Sequence, residues 1–268
     1  DLCVKLIEQN PELLLGVKAR IDRNTTSGQG IEPLRRARQA ADRVHRPLMV
    51  HIGGGPPTLS EVLDFMRPGD ILTHCFTGHN MRIIDDTGSL LDAAKRAWDS
   101  GIILDIGHGA GSFSFETAEK MIAAGYKPDV ISTDIHQMSI HGPLYDMPTC
   151  LSKFLALGLS VEDVIDAATV HAAEAMGLGD EIGTLRVGAL ADVALFNVLE
   201  GDFPFYDVHM NQRNGKRLLR NTLTIVNGRE LPRSVDGPTA PWIELSESQR
   251  NLAAWGHSPE KLAVTHCC

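Results

Sequence analysis

The chain has 268 residues, of which 43% are apolar and 22% charged, ordinary proportions for a globular protein with enough chain for a sizeable core. A formal net charge of -9 argues against nucleic acid as a partner, because phosphate neutralisation needs a surplus of Lys and Arg. No apolar run approaches the roughly 20 residues of a membrane span, and the opening Asp1-Leu2-Cys3-Val4-Lys5 lacks the ordered basic and apolar regions of a signal peptide. Cys3, Cys75, Cys150, Cys267 and Cys268 are scattered without a C-x-x-C spacing and read as reduced thiols of a cytoplasmic protein.

Short apolar runs alternate with amphipathic stretches over the first two-thirds, which predicts an α/β protein with a parallel sheet. Residues 13–17 read as a first strand and 27–30 as a loop. Residues 31–45 read as a helix with Ile31, Leu34, Ala37, Ala41 and Val44 on one stripe. Next come a strand at 47–51, a short helix at 59–66, a strand at 71–74 and a helix at 89–99 stopped by Gly101. A strand at 101–106 runs into Gly107-His108-Gly109, and a helix at 115–124 ends at Gly125. The last unit is a strand at 129–134 with helices at 147–157 and 161–176, the latter capped by Ser160 with Asp163 three residues on.

After Gly177 the pattern changes. Residues 183–188, 191–196 and 222–226, the last followed by Asn227-Gly228, read as short strands without helices between them. The expected division is therefore 1–180 for the α/β part, 181–230 for a small β segment and 231–268 for a tail with a short helix near 246–255. A Rossmann-type site is not indicated, since Gly53-Gly54-Gly55-Pro56-Pro57 puts proline where a phosphate cradle needs backbone N–H groups.

Chemistry collects at the predicted strand ends. Lys18, His51, His74 and Asp134 each follow an apolar run, and in a parallel α/β barrel those ends converge on the face that carries the active site. Taken singly, each has an ordinary alternative: a hydrogen-bonded strand-end histidine, an aspartate that caps the next segment, a lysine that pairs or snorkels. Lys18, directly after Leu13-Leu14-Leu15-Gly16-Val17, is expected to be partly desolvated. His79 and His141 read as loop residues and His171 as a helix-surface residue.

The order Lys, His, His, Asp at successive strand ends resembles the amidohydrolase superfamily. The strings Gly16-Val17-Lys18-Ala19-Arg20, Val50-His51-Ile52-Gly53, Thr73-His74-Cys75-Phe76-Thr77-Gly78 and Ser132-Thr133-Asp134-Ile135-His136 resemble its deacetylase and dihydroorotase-like branch. Gly183-Thr184-Leu185 through Ala191-Asp192-Val193 resembles the family's return into its small β domain. The resemblance implies a (β/α)8 TIM barrel of the amidohydrolase type, here incomplete (strands four to eight), plus part of a small β domain. It implies a metal-dependent amidohydrolase that cleaves an amide or ester bond of a small N-acyl or O-acyl substrate. Two divalent metal ions, commonly Zn2+, would be bridged by a carboxylated Lys18. His51 and His74 would hold the second metal. Asp134 would bind the first and act as general base, and His108, Arg20 and His136 would contact the substrate.

The family's first metal also takes a His-x-His pair, and no such pair occurs in this sequence. Together with the count of five strand-then-helix units, this leads to the expectation of a fragment that binds at most one metal and has little activity. The open edge of such a sheet aggregates or recruits partners, so a homo-oligomer is admitted. A dihydroorotase-like cyclic amidase and a non-catalytic scaffold are the alternatives.

Overall fold

The computed structural model describes residues 1–231 apart from 137 and 141. The predicted tail at 231–268 with its short helix lies outside the described residues except for Leu231, as does His141. Two units interleave along the chain. The first comprises Asp1–Ile106, Glu116–Asp129 and Ala175–Gly177; the second comprises Gly107–Phe115, Val130–Glu174 and the chain from Leu178 onward. The sequence pattern instead places a single change of character near residue 180.

The first unit is a parallel sheet with helical crossovers. Its elements are α1 (Leu2–Gln9), β1 (Val17–Ile21), α2 (Glu32–Val44), β2 (Leu48–Ile52), α3 (Leu59–Leu63), β3 (Ile71–Thr73), α4 (Asp92–Asp99), β4 (Ile103–Asp105) and most of α5 (Phe115–Ala123). Strand order β1-β2-β3-β4 equals chain order, and every neighbouring pair is parallel. Each return to the same sheet edge therefore needs a crossover, which α2, α3 and α4 supply. α2 packs on β1 and β2, with Leu34 and Ala41 fully buried beside Ile21, Leu48, Val50 and Ile52. Each large aliphatic side chain among these contributes about 1.5–3 kcal/mol by burial. Thr58 and Glu61 form a reciprocal capping box at the start of α3.

A buried ion pair pins the start of the sheet. Asp70 accepts from Arg38 Nη1 at 2.5 Å, from the Leu48 backbone N–H at 2.8 Å and from the Arg67 backbone N–H at 2.7 Å. One carboxylate thus ties α2 and the first residue of β2 to the turn before β3.

The second unit contains α6 (Met147–Ala156), α7 (Val161–Ala168), nearly all of α8 (Val170–Ala175), and the antiparallel strands β5 (Val193–Tyr206), β6 (Gln212–Val226) and β7 (Arg229–Glu230), paired in that order. α6 is buried along Thr149 to Leu155, Ser152 and Lys153 included. It packs on β6, where Ser152 Oγ accepts from the Leu219 N–H at 2.8 Å.

Several expectations need correction. The strand predicted at 13–17 begins only at Val17. Leu13 and Leu14 fold back onto the Asn10 carbonyl, so their apolar run belongs to a turn and Leu13 is exposed. The ladder starts at Val17 N–H to Pro47 O, with Gly16 so close to that proline that a Cβ would meet its carbonyl oxygen at 2.9 Å. Lys18 is therefore exposed inside β1 rather than desolvated at a strand end. No strand forms over 129–134 beyond a single bridge at Val130. In that segment the Ile131 N–H donates to the Ala167 carbonyl, the Ser132 and Thr133 carbonyls accept from the His108 and Gly109 N–H groups, and Asp134, with φ 46°, leaves the extended region. The helix predicted at 161–176 breaks at Thr169, whose φ -127° and ψ -87° are not helical. The short β strands are in fact 14 and 15 residues long, with register shifts between Leu195 and Phe196 and between Glu200 and Phe203 that let β5 continue past Gly201. Residues 183–188 form turns rather than a strand.

The Asp70 hub gives a direct stability test. Asp70→Ala should lose about 3 kcal/mol or more, the usual consequence of stranding a buried charge, measured as a shifted urea midpoint at unchanged slope; a loss below about 1 kcal/mol would show the hub to be incidental.

Candidate functional site

The parallel register sets one row of polar side chains across the whole sheet. Arg20 pairs with His51, His51 with Thr73 and Thr73 with Asp105. Directly paired residues share a face, and residues two apart along a strand share it too, so Lys18 stands on the same face as Arg20, one row earlier beside Met49. Lys18, Arg20, His51 and Thr73 are thus on one face by sequence spacing and ladder pairing alone.

His74 should point the opposite way, because it follows Thr73. Its φ of 65° breaks the alternation, an uncommon conformation for a residue with a Cβ. The ring lies with its centroid 4.3 Å from that of His51 at 81° between planes, and His74 Nε2 stands 2.8 Å from His51 Nδ1. Both rings are buried.

Asp22, just past β1 and buried, closes the other side of His51. Its Oδ2 stands 3.0 Å from Arg20 Nε and 3.5 Å from His51 Nε2. Its Oδ1 accepts from the Asn24 and Thr25 backbone N–H groups at 2.7 and 3.1 Å. Burial alone would raise the carboxyl pKa; the contacts with His51, Arg20 and the Asn24 N–H outweigh it and hold Asp22 well below the usual carboxylate range. Burial lowers the His51 pKa against the opposing pull of Asp22. The pair is accordingly a neutral imidazole against a carboxylate, not an ion pair. Neighbouring Thr73 donates to Asp105 Oδ2 at 2.6 Å, so the polar row continues to β4.

The second unit holds its own cluster. His108 is fully buried, with Nδ1 2.9 Å from the Gly109 carbonyl oxygen and Nε2 2.7 Å from Lys153 Nζ. Nδ1 therefore carries the proton and Nε2 accepts from the lysine. Lys153 Nζ also donates to Pro143 O at 2.8 Å and lies 6.0 Å from the Phe113 ring centroid, on which His108 stacks at 4.8 Å. Burial pushes the Lys153 pKa down to about 7. Gly109, φ 58°, runs so close to Asp134 that a Cβ there would meet Oδ2 at 3.2 Å. His136 accepts the Met138 N–H on Nδ1 at 3.2 Å, which leaves the proton on Nε2; that atom is buried and has no hydrogen-bond partner among the described residues.

Of the residues singled out from sequence, the structure joins His51 to His74 directly and places Lys18 and Arg20 on the His51 face. Arg20 is committed through Nε to Asp22, the salt-bridge alternative to substrate binding. Both His108 ring nitrogens are engaged within the protein, so His108 meets a ligand only by giving up one of these bonds. Asp134, His108 and His136 belong to the second unit. Asp22 and Lys153 escaped the sequence reading. Asp22 was detectable as the third member of the 18, 20, 22 alternation, and Lys153 as the one charge within Met147–Ala156.

Residues 16–236 match the amidohydrolase family. A protein named deacetylase from Enterococcus faecalis is 37% identical over 232 residues, covering 85% of this chain and 63% of that protein. A deacetylase from Agrobacterium fabrum is 34% identical over 234 residues, covering 87% and 57%. A solved structure described as an adenine deaminase superposes with TM-score 0.83 at 36% identity, covering 86% of this chain and 63% of that one. A structure described as a dihydroorotase gives 0.80 at 34%, covering 88% and 62%. The chain thus spans less than two-thirds of the length of these relatives. With parallel strands in chain order, these matches make the fold one of the (β/α)8 barrel type.

Lys153 predicts a pH dependence. With its pKa near 7 when folded and 10.5 ordinarily, the unfolded chain binds one more proton between those values, so stability rises with pH there by about 1.4 kcal/mol per unit. Below pH 7 the cost is fully present. Urea unfolding at pH 7, 8 and 9 should show Lys153→Met with a flatter rise than the parent; equal slopes would contradict the buried neutral amine.

Proposed function

Because the chain belongs to the amidohydrolase family, we propose that it carries the metal-binding barrel segment of a hydrolase that removes an acyl group from a small N-acyl or O-acyl substrate. The observation that carries this reading is the approach of His51 Nδ1 and His74 Nε2 to 2.8 Å in a buried setting. Imidazole nitrogens facing each other in this way suit a borderline divalent cation such as zinc. Two nitrogens do not fill its shell, and among the described residues no group of three His, Cys, Asp or Glu side chains completes one.

The remaining ligands come from the family pattern. Lys18, exposed on the His51 face, would take up CO2 as a carbamate and so offer a carboxylate to a cation. Asp134 would bind the first metal. A bound divalent cation would supply acidified water and would polarise the scissile carbonyl. By the same pattern Asp134 would serve as general base, taking a proton from water and returning it to the leaving nitrogen or oxygen. The Nε2–H of His136 offers a donor to a substrate oxygen.

Likeness to the dihydroorotase structure supports a second reading, opening of a cyclic amide. The deacetylase relatives favour the first.

The absence of a His-x-His pair from the sequence makes metal content the primary test. Purified with zinc, the chain should hold at most one tight metal, and His51→Ala combined with His74→Ala should abolish it. Two tight metals in the parent, or retention in the double variant, would contradict the assignment. Whatever turnover the chain shows is expected as acetate release from N-acetyl amino acids; ring opening of dihydroorotate or hydantoin instead would favour the cyclic amidase.

A further inference from the structure

We infer that Asp22 is a positioning residue for the metal pair: it fixes which nitrogen of His51 is offered to a cation. The inference rests on the reading of His51 and His74 as metal ligands. Four groups crowd the Asp22 carboxylate. Oδ1 takes the Asn24 and Thr25 N–H groups, and Oδ2 faces Arg20 Nε and His51 Nε2. A carboxylate has about four acceptor sites, so Asp22 has no capacity left for a cation and acts through the histidine.

The polarity of the contact decides the tautomer. Asp22 is acceptor-only, so the proton of neutral His51 sits on Nε2, facing it. Nδ1 is then a lone pair, and it is Nδ1 that stands 2.8 Å from His74 Nε2. The 3.5 Å separation is long for a hydrogen bond, but its direction is fixed from both sides. Arg20 and the two backbone N–H groups hold the carboxylate in place, and ladder pairing of His51 with Arg20 and Thr73 holds the imidazole. Carboxylates that receive the far N–H of a metal-bound histidine set ring orientation in this manner, and their loss weakens metal binding about 10–100-fold.

Asp22→Asn is the informative variant. Its amide oxygen can keep the Asn24 and Thr25 N–H bonds, so the turn survives. Its NH2 group then faces His51 Nε2 and favours a lone pair there, which moves the proton to Nδ1 and blocks the nitrogen aimed at His74. Zinc affinity of the full chain, measured by competition with a chromogenic chelator, should fall at least tenfold in Asp22→Asn. Thermal melting with EDTA present should match the parent, and the visible spectrum of the Co(II)-loaded protein should change. Asp22→Glu, which keeps an acceptor, should recover part of the affinity. Parent-like zinc affinity and an unchanged Co(II) spectrum in Asp22→Asn would overturn the inference while leaving the ligand pair standing. A variant that melts early in EDTA would assign Asp22 to fold support and overturn it as well. Absence of zinc binding in the parent, or its persistence in His51→Ala, would instead overturn the ligand pair itself and the inference with it.

Discussion

Everything proposed for the first unit depends on the hydrogen-bond register of four short parallel strands. That register puts Arg20, His51, Thr73 and Asp105 in one row. Side chains alternate faces with a period of two, so a slip of one residue in β2 would send His51 to the face where Val50 now packs. β3 and β4 have only 3 residues each, and such short ladders fix little by themselves. The register is set by what surrounds it: the Asp70 carboxylate on the Leu48 N–H, the Pro47 carbonyl on the Val17 N–H, and the burial of Leu48, Val50 and Ile52.

On that frame the protein buries polar groups that cost free energy unless partnered. His51, His74 and Asp22 in the first unit, and His108 and Lys153 in the second, are all buried. Arg20, two backbone N–H groups, the Gly109 and Pro143 carbonyls and each other supply partners. An apolar core of the same volume would be no less stable. Left-handed backbone at His74 and Asp134 adds strain of the kind that persists where a side chain must be aimed. Burial of this sort, at residues the family pattern assigns to metal and proton transfer, supports a site rather than a packing accident.

Much of this was legible in the sequence, for physical reasons. α2, α4 and α6 follow from apolar spacing, and β2 and β3 from apolar runs flanked by turns. His51 and His74 stand out only as members of a series with Lys18 and Asp134, each placed after an apolar run. The start of β1 was misplaced because Leu13, Leu14 and Leu15 carry strand composition but fold into a turn, and composition cannot show where a ladder partner begins. The face of His74 was not legible either, since alternation predicts the wrong side and only the positive φ corrects it. Lys153 is marked in the sequence only as the one charge within α6; its burial follows from the packing of α6 on β6, a long-range event. The full length of β5 and β6 is not legible because register shifts interrupt the regular pairing at Leu195/Phe196 and Glu200/Phe203.

The central claim is that His51 and His74 form one cation site through Nδ1 and Nε2. Anomalous diffraction at the zinc absorption edge, from crystals of the full chain grown with zinc, addresses it most directly. A single peak is expected between the two rings, about 2.0–2.1 Å from each of these nitrogens. Rings still in mutual hydrogen bond, with zinc elsewhere or bound through His51 Nε2, would contradict it.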